Sequence, residues 1–67
     1  MSPAGWKGTV LQKARARRKL TQAELAERVG VHRITITRLE SGTRRPSVDM
    51  LQRLAKALKV KVGELLE

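Results

Sequence analysis

Apolar residues recur every three or four positions along most of this chain, and glycine or polar runs interrupt the rhythm between blocks. That spacing predicts amphipathic helices, and nothing in it alternates in the way a strand requires. From Thr9 to about Lys19, Val10, Leu11, Ala14 and Arg18 fall at helical intervals. Thr21-Gln-Ala-Glu24 then reads as a capping box: the threonine hydroxyl accepts from the amide three residues on, and the glutamate reaches back. The helix it opens carries Leu25, Ala26 and Val29 on one face and is stopped by Gly30, a residue able to take a left-handed conformation. A third helix is predicted from about His32 to Ser41, with Gly42 as its stop.

Beyond the basic loop Thr43-Arg44-Arg45-Pro46, Ser47 is placed to cap a fourth helix and Asp49 to favour its positive end. Met50, Leu51, Leu54, Ala55 and Leu58 form its apolar face, opposite Gln52, Arg53, Lys56 and Lys59. A short last helix, about Val62 to Leu66, offers Val62, Leu65 and Leu66. Residues 1–8 contain Pro3, Gly5 and Gly8 without periodicity and read as a flexible N-terminal arm, leaving residues 9–67 as the folded domain. Trp6 stands out in that arm as the chain's one Trp, Tyr or Phe. It is read as a plug over the open end of a helical core, with base stacking as the other role. The expected fold is all-α, a compact five-helix bundle.

Composition narrows the chemistry. Sixty-seven residues support one small core, and a formal net charge of +9 calls for a partner dense in negative charge, nucleic acid ahead of a membrane surface. Without cysteine there is neither a disulfide nor a thiolate metal site, so helix packing must hold the domain. One histidine and no cysteine leave no nucleophile with its base, no metal cluster and no phosphate-cradling glycine loop. No enzyme activity, cofactor or metal is expected. The apolar runs are far short of the roughly 20 residues that span a bilayer, and no secretory leader is recognisable, so a cytoplasmic protein is expected.

The most informative stretch runs from Gln22 to Ser41. Two helices that cross steeply need a small residue at their contact, a glycine in the turn and apolar residues that lock the angle. Ala26, Gly30, and then Leu25, Val29, Val31, Ile36 and Leu39 supply them. On a helical wheel Arg33, Ile34, Thr37, Arg38 and Ser41 share one face and Ile36 and Leu39 the other. With Ile36 and Leu39 buried, the outer face presents two guanidiniums suited to guanine O6 and N7 and an Ile34 suited to a thymine methyl. A plain solvated face is the competing reading for the arginines, and a minor core position for Ile34.

The motifs Leu20-Thr-Gln-Ala-Glu-Leu-Ala, Gly30-Val31, Ile36-Thr-Arg-Leu-Glu-Ser-Gly42, Arg45-Pro46-Ser47, and Leu51 through Leu58 followed by Val60 together resemble the Cro/cI-type (XRE-like) helix-turn-helix family of phage repressors, restriction-modification controllers and antitoxins. The resemblance covers about Gly8 to Leu66. It implies a lambda-repressor-like fold, a third helix in the major groove of double-stranded DNA, and a homodimer on a pseudo-palindromic operator. It implies base contacts from Arg33, Ile34, Thr37 and Arg38. Phosphate contacts are expected from Gln22, His32, Thr35, Ser41, Arg44, Arg45 and Ser47, and a structural ion pair from Arg15 and Glu40. His32 departs from the family, where serine or threonine is usual at that cap. Val62 and Leu66 are candidates for the dimer surface, with burial inside one subunit as the alternative. The function implied is transcription regulation, most often repression, in a bacterial or phage nucleoid setting. Two rivals remain at this point: an antitoxin-like module that binds a partner protein, and a general polyanion or membrane-surface binder.

Overall fold

Five helices are present in the computed structural model, which describes residues 6–66: α1 (Gly8–Arg17), α2 (Gln22–Val29), α3 (Arg33–Ser41), α4 (Val48–Leu58) and α5 (Val62–Leu65). No strand occurs among the described residues. Residues 1–5 of the expected arm and Glu67 lie outside the described residues.

The helix ends are where sequence chemistry acts most directly. The capping box forms as read: Thr21 Oγ1 accepts from the Glu24 amide at 3.0 Å, and Glu24 Oε1 accepts from the Thr21 amide at 2.8 Å. Ser47 Oγ likewise accepts from the Met50 amide at 3.1 Å. Gly30 and Gly42 close α2 and α3 at φ 83° and 81°, in the left-handed region. A β-carbon at either would have open space around it, so the backbone angle, not crowding, is what favours glycine there.

The end of α1 differs from the expectation. α1 stops at Arg17, short of Lys19, because Lys19 itself takes φ 56° and the Leu20 amide turns back to the Arg15 carbonyl at 3.3 Å. That reversal drives Leu20 into the core. Lys59 does the same after α4, at φ 57°. Arg18, which shared the helical spacing of the apolar residues, stays exposed. Its guanidinium donates to the carbonyls of Leu58 at 2.7 Å and Lys59 at 3.1 Å, a cation on the negative end of α4.

The core gathers one side of every helix. Leu11, Leu25, Ile36, Leu39, Leu54, Leu58 and Leu65 are fully buried, and Trp6 joins them. α3 packs against α2 and α1, α4 against α2, and α5 against α4 and α1, so the third helix is held from behind by two elements. Trp6 closes the open end of this core, and its indole N–H donates to the Leu39 carbonyl at 3.1 Å. Two residues later Gly8 begins α1 against the last turn of α3, where a β-carbon would run into the carbonyls of Leu39 and Glu40. Trp6 and Gly8, both read from sequence as part of a flexible arm, are thus packed onto α3. No described helix is long and apolar enough to cross a membrane.

Candidate nucleic-acid interface

The wheel drawn from sequence corresponds to the burial of α3. Ile36 and Leu39 have no exposed surface, whereas Arg33, Thr37, Arg38 and Ser41 are exposed and Ile34 is 57% exposed. An isoleucine left that open contributes little to the core, unlike the buried Ile36 on the same helix. It is therefore not the minor core position that was the alternative. Thr35 is half-buried.

The start of α3 is set by the turn from α2. After Gly30 the chain bends at Val31, whose amide still donates to the Ala26 carbonyl at 3.0 Å, and His32 is extended, its carbonyl accepting from the Thr35 amide at 2.9 Å. His32 occupies the N-cap position but its imidazole makes no capping bond, so the first amides of α3 lack the side-chain acceptor that a serine or threonine supplies. At the far end, Ser41 Oγ donates to the Arg38 carbonyl at 3.0 Å and lies 2.8 Å from Thr43 Oγ1. Those bonds tie Ser41 to its own turn.

The loop after α3 folds back because the Arg44 amide donates to the Arg38 carbonyl at 3.1 Å and Pro46 is buried. Arg44, Arg45 and Ser47 then line one cleft with Thr35, which brings four of the expected phosphate contacts together. Arg44 and Arg45 are exposed. Ser47 keeps its hydroxyl on the Met50 amide as the cap of α4.

Gln22, the first residue of α2, is half-buried and lies between α3 and the ion pair. Arg15 Nε donates to Glu40 Oε2 at 2.6 Å, Nη2 donates to Oε1 at 3.1 Å, and Nη1 to the Leu20 carbonyl at 2.7 Å. The hydrogen bond to Glu40 raises the Arg15 pKa further above its ordinary range. Gln22 Nε2 also donates to Glu40 Oε1, at 3.0 Å, and Gln22 Oε1 accepts from Thr37 Oγ1 at 3.0 Å. Sequence reasoning placed all four residues in roles but not in one network.

Electrostatics follow from the same arrangement. Between Val29 and Pro46 the chain contains one acid, Glu40, against Arg33, Arg38, Arg44 and Arg45. Glu40 is 8% exposed and its charge is met by Arg15. The outward surface of α3 and the following loop is therefore positive without an intervening carboxylate, the condition for attracting a polyanion. Among the described residues no group of His, Cys, Asp and Glu is placed to hold a metal. Val48, 73% exposed at the start of α4, was not singled out by the pattern. Val62 is half-buried against the core and Leu66 is 36% exposed beside a groove between α1 and α5.

The helix-turn-helix family model matches residues 11–65. An uncharacterized HTH-type transcriptional regulator of Methanothermobacter thermautotrophicus is 50% identical over 50 residues, spanning 75% of this chain and 72% of that protein. The restriction-modification controller protein C.AhdI from Aeromonas hydrophila is similar in structure, with TM-score 0.84, 33% identity, and 87% and 88% of the two chains covered. The P22 c2 repressor, solved in complex with a synthetic operator, gives TM-score 0.86 at 31% identity, covering 92% of this chain and 94% of that one.

Proposed function

This chain belongs to the helix-turn-helix family of transcriptional regulators, and from that premise we propose that it is a repressor that reads double-stranded DNA with α3 in the major groove. The observation that carries the reading is the exposed row Arg33, Ile34, Thr37 and Arg38, backed by the fully buried Ile36 and Leu39. A rigid helix with this division of faces presents guanidinium donors and one apolar contact to base edges. Gln22, His32, Thr35, Ser41, Arg44, Arg45 and Ser47 are assigned to the phosphate backbone, where they set affinity and register. Arg15 and Glu40 hold α1 to the end of α3.

The reading extends to a homodimer, with Val62 and Leu66 on its interface, on a pseudo-palindromic operator whose half-sites lie about one helical turn, ~34 Å, apart. The chain acts in the cytoplasm, without catalysis or cofactor. Selection of bound sequences from a random duplex library at roughly 150 mM salt tests the sequence-reading role and the operator symmetry, since purely electrostatic binding has weakened there. An enriched inverted repeat with that spacing is the expected result. Binding that ignores sequence and survives only at low salt sinks the proposal in favour of a general polyanion binder.

A further inference from the structure

The hydrogen bonds that join Arg15, Glu40, Gln22 and Thr37 have a direction fixed by chemistry. Arg15 carries only donors, and the Glu40 carboxylate it pairs with only accepts. The end of the Gln22 amide that lies 3.0 Å from Glu40 Oε1 is therefore the nitrogen. The oxygen faces Thr37 Oγ1 at 3.0 Å and must accept, so Thr37 donates inward. The other neighbour of that hydroxyl, the Arg33 carbonyl at 3.2 Å, also only accepts. One proton is thus held between two protein acceptors, and Thr37, exposed on α3, shows the outside lone pairs alone.

We propose that this chain of bonds makes Thr37 an obligate acceptor toward DNA, so that it selects a base carrying an amino group, cytosine through N4 or adenine through N6, with Gln22 and Glu40 as positioning residues. Guanine O6 and N7 and thymine O4 are themselves acceptors and offer Thr37 nothing to bind. The inference rests on the DNA-reading role proposed above for α3. It goes beyond that role because it ties the buried ion pair to the polarity of the reading face, and not only to the stability of the fold.

Random-duplex selection with the unaltered chain, Thr37→Val and Gln22→Met, each with its thermal midpoint recorded, separates the possibilities. Thr37→Val keeps the side-chain shape and removes the hydroxyl, so preference at one base position of the half-site is expected to fall by about tenfold. The base pair favoured there presents one amino group in the major groove, adenine N6 or cytosine N4, and that group is the one Thr37 is expected to meet. A duplex with that amino group deleted, purine for adenine or the amino-free analogue for cytosine, weakens the unaltered chain and leaves Thr37→Val unaffected. Gln22→Met leaves the hydroxyl a single acceptor and is expected to lower the same preference severalfold while weakening binding to every duplex.

If no position responds to Thr37→Val, or the amino-deleted duplex binds the unaltered chain equally well, the acceptor assignment is overturned. Uniform loss in Gln22→Met with the preference intact overturns the positioning role. If the unaltered chain enriches no sequence at all, it is the DNA-reading proposal that has failed, and this inference falls with it.

Discussion

Arg38 and Arg45 are both exposed arginines within eight positions of each other, yet their settings differ. Arg38 stands on the outer face of a rigid helix, and Arg45 stands in a loop beside Thr35, Arg44 and Ser47. Arg38→Ala, and equally Arg33→Ala, should cost about 1–3 kcal/mol and relax preference at one base pair, whereas Arg45→Ala should weaken all duplexes alike and flatten the salt dependence. Binding titrations on matched and singly mismatched duplexes at several salt concentrations check this; equal loss on every duplex for Arg38→Ala removes it from base reading. Gly8 makes a different point at the same scale. Its lack of a side chain lets the start of α1 approach the carbonyls of Leu39 and Glu40. Gly8→Ala should destabilise the domain by about 1–3 kcal/mol despite alanine being the better helix former, read as a lower thermal midpoint. Nothing local announces this requirement, because the partner carbonyls belong to a helix more than thirty residues away. The same holds for Trp6, whose role as a plug was legible from its rarity but whose hydrogen bond to Leu39 was not.

At the scale of elements, what the sequence made legible was whatever a few neighbouring residues decide. Thr21 and Glu24, Ser47, Gly30 and Gly42 each mark a helix end through chemistry within three or four positions, and each end forms there. The end of α1 was misplaced because lysine, not glycine, occupies the left-handed position at residue 19. The outer face of α3 was legible from periodicity, whereas the bridge from Gln22 to Glu40 and Thr37 was not, since it depends on how α2 crosses α3. The capping box also carries a pH signature. Hydrogen bonds from the Thr21 backbone and side chain hold the Glu24 carboxyl below the ordinary glutamate range. A depressed folded-state pKa means that its contribution to stability is complete above the ordinary range and is lost as pH falls through the lowered value. In Thr21→Ala the Glu24 carboxyl should titrate closer to the ordinary range by NMR, and the loss of the cap should cost about 1 kcal/mol at neutral pH. An unchanged Glu24 titration would show that the Thr21 side chain plays no part in the shift.

For the molecule as a whole, a 67-residue domain has roughly 3–10 kcal/mol of stability to draw on, so one buried charge decides whether it folds. Glu40 accepts from Arg15 and Gln22 and is 8% exposed. Glu40→Ala leaves the Arg15 guanidinium poorly solvated and without its partner, at a cost of about 3–5 kcal/mol. DNA binding should disappear together with the fold; a variant that keeps the parent's thermal midpoint would show that the pair is not structural. The margin is narrow because nothing covalent supplements the core: no cysteine is present, and the ion pair of Asp49 with Arg53 is exposed and of little worth. Such a domain benefits from being watched directly, and it carries the means. Trp6 is the chain's one indole, with no tyrosine or phenylalanine beside it, and it is sealed against the last turn of α3. Its fluorescence is therefore an intrinsic gauge of that helix, and emission should move to longer wavelength once α3 leaves the body of the protein and water reaches the ring.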